Sequence, residues 1–356
     1  TDNINSQNSS SMGGGIHING DGNILNTVSS SRNYSGSGSG IYFINASRTI
    51  LQDATIDYNT CSRQGCGIYI NNSDSLTMTG IVIANNRDSL STSYNGVEGA
   101  GMYCRSSLYS TLQDATIIDN SGESGSGIYI QDNNTQLEIL NSAIIGNDAT
   151  QDGGGIYNQA SMMTLDHVTI SNNTAGSQGG GIYFTGAGSD HALINNSIIW
   201  NNSPTSLESF SQTYLGIEIN YSTFPSGDFG ISLPDGQENI NENPIFCDPE
   251  YGDFTLSNNS PCIGSGLAGT HMGKYDEGNC GDNSPGCIDS NACNFCVECD
   301  VADSSCLYPC EDDGGCAENY DSEKYDCDGN CIVGSDCSGK CGGIAIVDSC
   351  GICGGS

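Results

Sequence analysis

Positive charge is nearly missing from this chain. Eight Lys and Arg stand against 42 Asp and Glu, a formal net charge of -34 over 356 residues. Nucleic acid and anionic membranes recruit proteins through Lys and Arg, so neither fits as a partner. Cations such as calcium fit such a surface better. No apolar run is long enough to span a bilayer, which excludes insertion by a helix. No period-3.6 apolar stripe occurs, which excludes ankyrin-type and helical repeats. No signal peptide stands at Thr1, so the expectation is a processed chain or an internal piece of a longer one.

Glycine, asparagine and serine fill the space left by charge, and they recur in order. Aligned on the glycine before an apolar-Tyr pair, the chain gives Gly40, Gly67, Gly101, Gly127, Gly155 and Gly181, with Gly15 before Ile-His. Five of the six steps are 25 to 28 residues (40 − 15 = 25; 155 − 127 = 28), a period of about 26. The sixth is 34 (101 − 67) and contains "RDSLSTSYNGVEG", Arg87–Gly99, read as a loop inserted in one turn. A second alignment sets Ile56, Ile83, Ile117, Ile144, Ile170 and Ile199 each three residues before Asn59, Asn86, Asn120, Asn147, Asn173 and Asn202. "LQDATI" occurs twice, at Leu51 and Leu112.

Within each unit the apolar residues alternate, the period of a strand. Three short strands in about 26 residues make one coil of a parallel β-helix; a propeller blade needs about four strands in ~40 residues. Equivalent strands then lie ~4.8 Å apart and equivalent side chains stack in ladders. The fold expected is all-β: a right-handed parallel β-helix of about eight coils, followed by a small disulfide-rich, irregular domain. Isoleucines fill the interior, asparagines bond along one corner, and glycines turn the next corner. Cys104 aligns with Ile70 and Ile130 and reads as a free, buried thiol.

"GGGIYN" (Gly153–Asn158) and "TLDHVTISNNTA" (Thr164–Ala175) resemble the repeat of bacterial right-handed β-helix proteins of the pectin-lyase-like superfamily, close to polymorphic outer-membrane protein repeats. "NPIFCDPEYGDFTLSNNSPCIGSG" (Asn243–Gly266) and "MGKYDEG" (Met272–Gly278) resemble the closing segment of secreted members. The resemblance implies secretion and says little about activity. Cys247 and Cys262 stand where that segment is ordinarily apolar, which implies an added disulfide. "GCIDSNACNFCVECDVADSSCLY" (Gly286–Tyr308) resembles cysteine modules appended to secreted bacterial surface proteins.

Of 19 cysteines, 14 lie between Cys280 and Cys353, in a segment with too few aliphatics to order itself without cross-links. This points to an oxidising, extracellular setting and a cell-surface location. Cys61 and Cys66 flank one corner and can close a short loop. The CxxC spacings at Cys293–Cys296, Cys296–Cys299 and Cys350–Cys353 suit zinc, but without nearby histidine they read as disulfides. "DCDGNC", "DCSGKCGG" and "DSCGICGG" form one short repeat, and the expectation is that it continues past Ser356.

Three constellations carry candidate chemistry. His17, Tyr42, Tyr69, Tyr103, Tyr129, Tyr157 and Tyr183 form an outward ladder, a candidate contact surface for sugars or another subunit. Asp326, Asp328 and Asn330 alternate like early ligands of a calcium loop, although Gly329 and Cys337 break the EF-hand pattern; Glu311, Asp312 and Asp313 form a second acidic cluster. The cofactor expected is Ca²⁺, in a structural role. For catalysis, Asp53 and Asp114 share a repeat position two coils apart, roughly 10 Å, a spacing that suits an inverting pair. Asp166 and His167 are adjacent but no serine elbow accompanies them. Polysaccharide lyases need Lys or Arg over the uronate; none occurs from Ser106 to Met272, and Arg48, Arg63, Arg87 and Arg105 do not align.

The organisation expected is coils over 1–238, a closing segment over 239–280 and a Cys-rich acidic domain over 281–356. The function expected is non-enzymatic: an extracellular rod or fibre subunit, structural or adhesive. The alternatives are a carbohydrate-active enzyme and a glycan-binding module. Thr1 begins inside a coil, since Asn8 precedes Gly15 as Asn120 precedes Gly127. Head-to-tail association into a filament is therefore expected, with a glycan or cell surface as a further candidate partner.

Overall fold

A computed structural model describes residues 12–89, 96–185, 192–209, 216–225, 238–278 and 280, with tail pieces at 285–286, 301–302, 307–309, 316–318 and 335–337. Two units are distinct: Thr1–Leu256 with Ser260–Glu277, and Ser257–Asn259 with Gly278–Ser356.

The first unit is a parallel β-solenoid. Its four sheets contain eight, eight, seven and six strands, each paired with its equivalents one rung away. The first sheet runs from Ile16–Asn19 to Leu207–Ser209, the second from Ile24–Asn26 to Ile217–Asn220. The third runs from Ser29–Ser31 to Ile198–Trp200, and the short fourth from Tyr34–Ser37 to Thr174–Ala175. The expected fold is the one observed, with the asparagine corner adding the fourth sheet.

Register follows the sequence alignment. Leu51, Met78 and Leu112 stack in the second sheet, and Ile56, Ile83 and Ile117 in the third. All six are buried in one continuous core. At roughly 1.5–3 kcal/mol for each fully buried aliphatic side chain, these columns are the main stabilising term. Cys104 stands between Ile70 and Ile130, a free thiol in that core. Residues 90–95 of the long repeat lie outside those described; Glu98 is back in register between Gln64 and Ser124.

Between sheets the chain turns through left-handed backbone. After the second sheet the turn residues include Asp53 (φ 52°), Asp114 (φ 52°), Asn141 (φ 43°) and Asn196 (φ 46°). Asn and Asp tolerate this region because their short polar side chains bond locally. At the fourth-to-first corner glycine is needed. Gly99 has φ 61°, and a Cβ there would lie 2.4 Å from the Met102 carbonyl oxygen. Gly67 is packed so closely that a Cβ would sit 2.4 Å from the Gly101 oxygen.

The asparagine corner is a hydrogen-bonded column. The Asn86 amide N–H and Nδ2 both donate to Asn120 Oδ1 at 3.0 Å. Asn120 Nδ2 donates in turn to Asn147 Oδ1 at 2.9 Å and back to the Ile83 carbonyl at 3.0 Å. The same pattern runs from Asn33 to Asn202, with every member buried. A side chain that both donates and accepts can repeat indefinitely against its own copies.

The closing segment does not simply extend the stack. Ile240 makes a last rung against Thr223. The chain then doubles back as a hairpin of Phe246–Asp248 and Asp253–Leu256 along the outer face of the third sheet. There Phe254 packs with Ile118, Ala143 and Ile145, and Leu256, Cys262 and Met272 pack with Ile198.

Cys61 and Cys66 are joined, with S–S 2.11 Å. The expected Cys247–Cys262 disulfide is corrected: Cys262 is a free, buried thiol, while Cys247 is bonded elsewhere. Cys262 instead serves as an apolar residue, in van der Waals contact within the Ile198 cluster. In the second unit Cys280 and Cys337 each take part in a disulfide. Pro285–Gly286 pairs there with Val301–Ala302, and Leu307–Pro309 with Cys316–Glu318.

Replacing Asn120 by Ala strips Asn86 of an acceptor for two buried donors. We expect a loss on the order of 2 kcal/mol or more in chemical denaturation, against little change for Ser121→Ala at the exposed neighbouring position. Equal stability of the two variants would contradict the column's role.

Candidate functional site

The tyrosine ladder is the most regular feature outside the core. Tyr42, Tyr69, Tyr103, Tyr129, Tyr157 and Tyr183 are in register because each follows an inward apolar residue. The five rings from Tyr42 to Tyr157 stack nearly parallel, with centroids 4.5–5.3 Å apart and planes within 18°. His17 and Tyr183 tilt at the two ends, at 59° and 54°. Each stacked pair contributes about 0.5–1.5 kcal/mol beyond area.

The ladder faces outward but is not an open surface, which corrects its reading as a contact stripe. Tyr103 is 0% exposed, and Tyr42, Tyr69, Tyr129 and Tyr183 are at most 6%; Tyr157 is half-buried and His17 alone is exposed. Rings one rung apart cover each other's faces. Flanking residues take the hydroxyls: Tyr103 donates to Gln131 Oε1, Tyr129 donates to Gln159 Oε1 at 3.4 Å, and Arg105 bonds to Tyr69. Burial, aided by the Glu98 charge, pushes the Tyr103 and Tyr129 phenols well above their ordinary range. Tyr183 is pushed up to about 12, first by burial and then by Asp152.

The carboxylate candidates do not converge. Asp53 and Asp114 hold the same turn position, but Gly80 occupies the rung between them, its α-carbon facing Asp53. Asp53 is exposed. Asp114 accepts from Asn141 Nδ2 at 2.5 Å and lies near Lys274. Asp166 and His167 make a half-exposed surface pair, Nδ1 to Oδ1 3.0 Å, and Asn196 Nδ2 also donates to that carboxylate at 2.8 Å. Arg48 pairs with Asp21 at 2.8 Å on the surface. Asp326, Asp328, Asn330, Glu311, Asp312 and Asp313 all lie outside the described residues. Among the described residues no His, Cys, Asp or Glu cluster is grouped for a metal, and no helix is long and apolar enough to cross a membrane.

Lys274 was not singled out from sequence. The closing segment carries it 159 residues back in the chain, where Nζ donates to the Ala115 carbonyl at 2.8 Å and to Thr116 Oγ1 at 3.3 Å. Burial lowers its pKa and nearby Asp114 partly opposes that shift. The signal available was "MGKYDEG", whose Met272 and Gly273 are buried against the third sheet.

Comparison with known proteins supports the architecture. Residues 4–162 match the family model described as the right handed beta helix region. The solenoid is a right-handed β-helix. No curated protein and no solved structure matches the chain.

The buried phenols generate a test. Raised folded values mean that the protonated form favours the fold. That contribution is complete below the ordinary tyrosine value of 10.0 and is lost as pH rises through the folded values, about 12 for Tyr183. Phenolate absorbance of the folded protein should lag that of the denatured chain and climb together with loss of far-UV dichroism. Ionisation of every tyrosine with the fold intact would refute the burial of the ladder.

Proposed function

We propose that the protein is an extracellular structural or adhesive rod, a cell-surface element or the subunit of a fibre, stabilised by calcium. One observation carries the reading: the repeated residues are consumed by the rod itself. Isoleucines fill it, asparagines bond along it, and tyrosines stack and bury one another. What remains for solvent is a stiff, acidic surface, a natural ligand for divalent cations. The Cys61–Cys66 bond favours an oxidising compartment.

Head-to-tail association is supported by an asymmetry of charge along the coils. Five arginines, Arg32 to Arg105, all lie on the early rungs, and the later rungs carry carboxylates. The arginine-bearing coils of one copy and the arginine-free acidic coils of another are complementary, and a contact of that kind that does not close gives a filament.

Electron microscopy of the purified protein in calcium should show linear assemblies that shorten or vanish with chelator. Chelation should also lower the melting temperature. Monodisperse particles at high concentration with no chelator effect would refute the reading. The rival enzymatic reading is tested separately: a panel of uronate and neutral polysaccharides should yield no unsaturated products and no new reducing ends. Turnover that is lost in Asp114→Asn would establish the rival.

A further inference from the structure

We infer that the segment from Asn239 to Glu277 is a clamp that makes the four rungs beneath it open as a single unit. A solenoid without such a segment is held by nearest-neighbour contacts, so it can fray one rung at a time. Here the same segment touches rungs that do not touch each other. Lys274 Nζ bonds to Ala115 and Thr116, and Phe254 covers Ala143 and Ile145. The Lys274 amide donates to Thr169 Oγ1 at 3.0 Å. Two rungs beyond Ala143, the Gly273 amide donates to the Asn196 carbonyl and the Leu267 amide to Asn196 Oδ1, both at 2.7 Å. Met272 and Leu256 close over Ile198.

The sheet beneath is built for the clamp. Outward positions of the third sheet are Ser29 and Ser31, then Thr55 and Asp57, on the early rungs. Under the clamp they include Ile118, Ala143, Ile145, Ile198 and Trp200. Val82 and Ala84 on the rung before the footprint, and Thr116, Thr169 and Ser171 within it, break a clean division, so the face grows more apolar under the clamp without switching outright. Gly273 sets the closest approach: φ is 80°, and a Cβ would lie 2.7 Å from Thr169 Oγ1 and 2.8 Å from Ile198 Cδ1. Opening any of the four rungs must first lift this segment. Lifting it exposes apolar side chains on three of the four, at Ile118, at Ala143 and Ile145, and at Ile198 and Trp200, and breaks the Lys274 amide bond to Thr169 on the other, so no rung has a low-cost opening of its own. The early rungs have no such tie, and they are the part of the rod free to open locally.

Native-state hydrogen exchange against denaturant concentration decides the matter in the unmodified protein. Amides of Thr116–Ile118, Ala143–Ile145, Thr169–Ser171 and Ile198–Trp200 should share one opening isotherm with Gly273 and Lys274. Those of Ile41–Ile44 and Thr55–Asp57 should open separately and at lower denaturant. Gly273→Ala should raise exchange in the four clamped strands at least tenfold and leave Thr55–Asp57 unchanged. If Gly273 and Lys274 exchange through a separate, easier opening while the strands beneath stay protected, the segment is a passive cover and the inference fails. If the variant does not fold, the unmodified protein still gives one of these two outcomes.

Discussion

Parallel pairing in register is the constraint on which everything else depends. It places each side chain about 4.8 Å from its own equivalents, so every ladder position must suit a residue that tolerates its own kind. Isoleucine does, by packing. Asparagine does, because its amide donates in one direction and accepts in the other, as from Asn86 through Asn120 to Asn147. Tyrosine does, through its faces. A carboxylate does not: two like charges at that spacing repel, and directly opposed like charges destabilise a sheet.

The acidic residues obey this rule. In the described register of the four solenoid sheets no Asp or Glu stands directly opposite another. Glu138 lies between Thr111 and Thr164, Asp148 between Ser121 and Thr174, and Asp166 between Leu140 and Asn195. Asp53 and Asp114 are separated by the Gly80 rung. A chain of such high negative charge remains foldable because its carboxylates are diluted along each column.

Periodic features were legible in the sequence and singular ones were not. Ile56, Asn59 and Cys104 announce their places, because each can be compared with copies on neighbouring rungs. The outward direction of Tyr103 was legible from alternation. Its burial was not, since that depends on Gln131 and on rings one rung away lying at stacking distance. The Cys247–Cys262 expectation failed for a related reason. Those residues belong to a segment that occurs once, so no neighbouring copy showed that Cys262 packs against Ile198 as an aliphatic would. The early asparagine and glycine signals fixed three strands per coil, while the short fourth sheet, with strands of only two residues at Arg87–Asp88 and Ser121–Gly122, has too little pattern to be read.

The placement of Lys274 joins the two halves of this account. It is the sole Lys or Arg between Ser106 and Gly278, and the doubling back of the closing segment sets it near Asp114 at the start of the acidic rungs. Burying an ammonium group is costly, which is why its pKa falls. The cost is offset locally by the Ala115 carbonyl, the Thr116 hydroxyl and the Asp114 field. The remainder of the segment contributes apolar contacts, from Phe254 to Met272. An apolar contact tolerates sliding along a ladder of similar residues, because every rung offers a comparable surface. A buried ammonium that must find particular acceptors does not. Lys274 therefore fixes the register of the closing segment on a repetitive face, and the hydrophobic residues supply the adhesion.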